Sequence, residues 1–80
     1  MKKLVCILNH GTALQSVYTF EPETECARFV TECTLDKLPM VINAVDINEF
    51  DTINFMGDIF LVDVIKNFIN KDLKIEVIKK

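Results

Sequence analysis

Leu4 to Leu8 form an unbroken apolar run, the pattern of a central strand covered on both faces. Asn9-His10-Gly11-Thr12 ends that run with turn chemistry. Ser16 to Phe20 is rich in β-formers and predicts a second strand, the alternative being a short helix capped by Thr12. If both runs are strands, the short link between them makes a hairpin and the sheet is mixed. Pro22 then suits the first turn of a helix, with Glu23 and Glu25 at the positive end of its dipole. Cys26, Phe29, Val30 and Cys33 follow the i, i+3, i+4, i+7 spacing of one buried helical face. The pattern therefore predicts a helix from Pro22 to about Cys33, followed by a linker over Leu35 to Pro39. Met40 to Asp46 favours a strand on its Val and Ile content. A helix with Val41, Ala44 and Val45 on one side is the alternative there.

The clearest pattern lies in the last third of the chain. Thr52-Ile53-Asn54-Phe55-Met56 has strand composition, and Gly57-Asp58 interrupts it. Asp58 is a competent N-cap for a helix beginning at Ile59 and ending near Asn70-Lys71-Asp72. Leu61, Val64, Ile65, Phe68 and Ile69 predict its apolar stripe, and Phe60 and Val62 fall outside that stripe. Leu73 to Val77 alternates as a strand does. A strand, a tight turn, a helix and another strand imply parallel pairing by a crossover. The expected fold is α/β: one domain over residues 1–80, a small mixed sheet of four or five strands, two helices and a C-terminal βαβ unit.

Composition changes this picture at one point. A chain of 80 residues buries only about 60–65% of the surface its unfolded form exposes, yet 50% of these residues are hydrophobic. A second copy is the commonest cover for a surplus apolar face, so the expected assembly is a homodimer. The net charge is −3, and no Lys or Arg falls between Lys37 and Lys66, where Asp46, Glu49, Asp51, Asp58 and Asp63 cluster. With no stripe of bases to displace counterions, duplex DNA is excluded as a partner. Three cysteines, Cys6, Cys26 and Cys33, make an odd count without a CxxC pair. That argues against a disulfide scaffold and a zinc site, and for a reducing, cytoplasmic setting. The apolar run after Met1-Lys2-Lys3 is too short for a signal-peptide core, and no run reaches membrane-spanning length. No membrane partner is expected.

In open α/β sheets, ligands gather beyond the carboxyl ends of the strands. That rule collects Asn9, His10, Gly11 and Thr12 after the first strand and Gly57 and Asp58 after the later one, with Lys79 and Lys80 at the same edge if the last strand is parallel to the first. Backbone N–H groups at a helix start can receive a phosphate, although Asp58 would compete for those donors. His10, the single histidine, is the candidate catalytic acid or base; the plainer reading makes it a turn residue. Asp46, Asn48, Glu49 and Asp51 lack the glycine and regular oxygen spacing of a calcium loop. No metal site and no cofactor are expected. A Cys6–His10 nucleophile pair is disfavoured, because four positions of extended strand separate them by about 13 Å. The chain holds only two glycines, Gly11 and Gly57, which leaves neither a P-loop nor a dinucleotide fingerprint.

An apolar strand ending in a polar-His loop, Leu4 to His10, and later Phe55-Met56-Gly57-Asp58-Ile59, together resemble the layout of small CRISPR-associated proteins that bind or degrade cyclic oligoadenylates, including ring-nuclease-like ones. The resemblance implies a dimer with a nucleotide-like ligand between subunits, in an antiviral defence or signalling setting. It also implies slow phosphodiester cleavage in which a ribose 2′-hydroxyl attacks in line, with His10 as acid or base. The other expectation is a non-enzymatic protein-interaction module or inhibitor that presents its acidic middle section and a sheet edge to a protein partner.

Overall fold

A computed structural model of the chain describes residues 2–9, 11, 13–45, 49–70 and 73–78. Five strands form a single sheet: β1 (Lys2–Leu8), β2 (Leu14–Glu21), β3 (Cys26–Thr34), β4 (Phe50–Gly57) and β5 (Lys74–Val77). Their order is β3-β2-β1-β4-β5. β2 lies antiparallel to both β1 and β3, while β4 lies parallel to β1 and β5 parallel to β4. The fold is the small mixed α/β sheet with two helices that the sequence predicts, and the β4-to-β5 segment is its C-terminal βαβ unit. Helix α1 is Leu38–Asn43. Helix α2, Val62–Ile65, is extended at each end by a 3₁₀ turn, Ile59–Leu61 and Lys66–Phe68.

Two segments take the opposite conformation to the one their local pattern predicts. Pro22–Glu25 is a turn, closed by Glu25 with a φ of 55°, and Cys26–Thr34 is the edge strand β3 rather than a helix. Its Phe29, Val30 and Thr31 are β-formers, and the ladder along β2 supplies hydrogen bonds that a helix would have to find within itself. Conversely, Leu38–Asn43 is helical where a strand over Met40 to Asp46 was favoured. Pro39 sits in its first turn, and Leu38 and Ile42, one turn apart, are fully buried. Packing of that pair overrides the weak helix propensity of Val and Ile. Asp46 lies outside the described residues.

Both helices cover one face of the sheet. Leu38, Ile42, Val62 and Ile65 join Leu4, Cys6, Leu8, Val17, Ile53 and Phe55 in a single core. The second helix presents Val62 and Ile65 inward, while Val64 and Phe68 are exposed; the expected stripe is rotated because the 3₁₀ turns shorten its period. Asn43 ties the two helices together. Its Nδ2 donates to the Phe68 carbonyl and its Oδ1 accepts from the Asn70 N–H, both at 2.9 Å.

The central strand β1 departs from expectation in one respect. Leu4, Cys6 and Leu8 are buried under the helices, but Val5 and Ile7, on the other face, are only half-buried. One face of the sheet is covered and the other is open.

Candidate functional site

The carboxyl ends of β1 and β4 lie side by side, with Leu8 in register with Gly57. Parallel pairing thus brings Asn9 and the Gly57-Asp58 turn to one edge of the sheet, as the sequence predicts. Gly11 is exposed on the loop that follows β1; His10 and Thr12, like Lys79 and Lys80, lie outside the described residues.

The polar groups at this edge serve the fold. The Asn9 N–H donates to Gln15 Oε1 at 2.6 Å and its Nδ2 donates to the Leu14 carbonyl at 3.1 Å, fixing the crossing from β1 to β2. Gly57 has a φ of +85°, and a Cβ there would stand 2.2 Å from the Leu8 carbonyl oxygen. Only glycine meets both demands. That carbonyl accepts from the Asp58 N–H at 2.8 Å, and the Asp58 carboxylate accepts from the Phe60 N–H at 3.3 Å. Asp58 is therefore the predicted N-cap, with its carboxylate placed over the donors that a phosphate would need.

Three hollows are formed elsewhere. A polar one of about 360 Å³ lies among Lys2, Thr19, Glu21, Thr24, Cys26 and Arg28 at the base of the β2–β3 hairpin. A groove of about 580 Å³ runs between the helices, lined by Leu35, Pro39, Val64, Ile65 and Phe68 with Asp36 at its side. The third, about 380 Å³, is the open sheet face itself. Val5 and Ile7 of β1, Tyr18 and Phe20 of β2, Met56 of β4, and the flanking Ala27 and Ile78 line it. The Tyr18 ring packs edge-on against Phe29 of β3 with centroids 5.5 Å apart.

One polar side chain stands within this apolar face. Asn54 is 8% exposed and lines the hollow, and its Oδ1 is buried without a hydrogen-bond partner. Across the strands it faces Val5 of β1 and Glu76 of β5. Neither the open face nor Asn54 was singled out from the sequence. The available signal was the alternation Val5/Ile7, Tyr18/Phe20 and Asn54/Met56, which puts one half of each strand on a face that no helix remains to cover.

The thiols are unsuited to nucleophilic chemistry. Burial, and secondarily Cys33, pushes the Cys6 thiol up to about 12, and burial and then the Asp36 carboxylate push Cys33 upward as well. A hydrogen bond from Thr34 holds the Asp36 carboxyl below the usual range. All three cysteines are free thiols. Among the described residues no cluster of His, Cys, Asp and Glu could hold a metal ion, and no helix is long and apolar enough to cross a membrane. Comparison with family models, curated proteins and solved structures finds no match.

Proposed function

We propose that this chain is a non-enzymatic protein-interaction module that acts as a homodimer, two copies meeting through their open sheet faces. The observation that carries the reading is the half-buried apolar surface of Val5, Ile7, Tyr18, Phe20 and Met56 on a sheet whose other side is fully packed. Antiparallel sheets tolerate water on one face when that face is polar; this one is apolar across its central strands. Five strands about 4.8 Å apart, with a rise of about 3.3 Å per residue, give a face of on the order of 500 Å² in projection and more once corrugated. That approaches the roughly 800 Å² that each partner contributes to a specific interface. Back-to-back pairing of the sheets leaves both helical sides outward. There Phe60, Val64 and Phe68, all exposed, offer a protein partner an apolar surface in place of the acidic one inferred from composition; Glu49 and Asp51 lie exposed on the flank.

Sedimentation equilibrium of the wild type and of Ile7→Lys tests this. The wild type should sediment as a dimer and the variant as a folded monomer, since a lysine at the centre of an apolar interface is left without a partner. A wild-type monomer up to high micromolar concentration overturns the reading, as does an undiminished Ile7→Lys dimer.

A second reading has its own support: the register of Leu8 with Gly57 gathers Asn9, Gly11, Gly57 and Asp58 at one edge, where a nucleotide-like ligand of the cyclic oligonucleotide kind would sit, with His10 in the adjoining loop. A thermal-shift screen with mononucleotides, dinucleotides and cyclic oligonucleotides separates the two. The interaction module predicts no shift. A ligand at a hundred times its Kd adds about 2.7 kcal/mol, which in so small a domain raises Tm by something over 10 °C.

A further inference from the structure

Asn54 is the polar exception on the face assigned above to self-association, and the inference drawn from it rests on that assignment. A buried carbonyl oxygen without a donor costs about 1–3 kcal/mol, and such a group calls for a partner. The covering surface must therefore be apolar around its margin and bring an N–H donor to the middle. A second copy of this chain does both. Its own Asn54 is surrounded by the same apolar side chains, and a primary amide carries a donor and an acceptor together. Two such amides related by a two-fold axis form a reciprocal pair, each Nδ2 donating to the other's Oδ1.

The spacing agrees. Sheets packed face to face stand about 10 Å apart. Two asparagine side chains meeting end to end through N–H···O contacts of about 2.9 Å span close to that distance. A purely apolar partner would leave Oδ1 unpaired, and a shift of one residue along either strand would bury it against a neighbour that offers no donor. The border of the face carries both signs, Lys74 standing 3.9 Å from Glu76, so no net charge there opposes a like copy.

We infer that Asn54 fixes the register of the homodimer, the two-fold axis passing between paired Asn54 amides in an isologous sheet-on-sheet interface, much as a single buried asparagine fixes pairing in a coiled coil.

Mixing Asn54→Asp with the wild type tests this, with populations read by native mass spectrometry and dimer constants by sedimentation at neutral pH. In the variant homodimer two carboxylates face each other, and about a hundredfold weaker association than wild type is expected. In the mixed dimer an amide N–H faces a carboxylate, so association should stay within about tenfold of wild type and the heterodimer should exceed its statistical share. If the wild type dimerises but homodimer and heterodimer weaken in equal steps per substitution, the Asn54 pairing is overturned while the interaction reading stands. A wild-type monomer overturns both. Should Asn54→Asp fail to fold by far-UV circular dichroism, Asn54→Leu carries the test. Loss of the single stoichiometry, with mixed dimers and larger species, is expected, and an unaltered single dimer rejects the pairing.

Discussion

At the scale of single residues, the buried positions show how little of this molecule is free for chemistry. Cys6, fully buried in β1, retains its proton up to a pH of about 12, against 9.0 for an unperturbed thiol. The folded state thus favours the thiol, and the unfolded state gives up its proton first. The resulting stability is fully present below pH 9.0 and is lost as the pH rises toward about 12. The loss proceeds at up to about 1.4 kcal/mol per pH unit. Urea unfolding across that window should show the slope in the wild type, and Cys6→Ala should lack this component; equal slopes in the two proteins would contradict the assignment. The legible residues were those whose roles are local. Asp58 as a helix cap and Gly57 as a breaker follow from their own chemistry, whereas the importance of Asn54 depends on which neighbours the sheet places beside it and on which face no helix covers.

At the scale of elements, local pattern succeeded where one conformation satisfied both propensity and burial, and failed where it did not. The β4–helix–β5 unit was readable because Gly57, Asp58 and the apolar run after them all agree. β3 was misread for a definable reason. Its pairing shifts between Val17 and Tyr18, so that Val17 meets Thr31 and Tyr18 meets Phe29, leaving Val30 as an extra residue. A bulge of this kind breaks the period-two alternation, and Cys26, Phe29, Val30 and Cys33 then imitate a helical face. The strand lies at the sheet edge, where Phe29 and Val30 are more than half exposed, and no buried stripe marks its conformation. α1 was misread in the opposite sense: its hold on the fold comes from Leu38 and Ile42 reaching the core and from Asn43 gripping the far end of the second helix, none of which is local. The junction of β4 with its helix carries a firm prediction. Gly57→Ala combines a left-handed backbone with a clash against the Leu8 carbonyl, so it should cost at least about 2 kcal/mol in chemical denaturation. A change below about 0.5 kcal/mol would contradict that geometry. For the same reason, lost activity in a Gly57 variant would report on folding before it reported on a ligand.

At the scale of the whole molecule, the two sides of the sheet are built differently. One side is closed by two helices around a continuous core. The other exposes apolar residues of its central strands, which is what the unbroken Leu4 to Leu8 run implies for a strand meant to be covered on both faces. The sequence pattern anticipated two covered faces and a surplus of apolar surface; a single copy supplies one cover. Size, hydrophobic content and the open face point to the same completion, a second copy, with the helical sides left outward for a protein partner. Isotope-filtered nuclear Overhauser spectroscopy on a mixed labelled and unlabelled sample, at a concentration where the chain is associated, tests this most directly. Contacts between copies should join the Tyr18 ring to the Val5, Ile7 and Met56 methyl groups and be missing at Phe60 and Phe68. Contacts through Phe60, Val64 and Phe68, or none at all, would contradict the account.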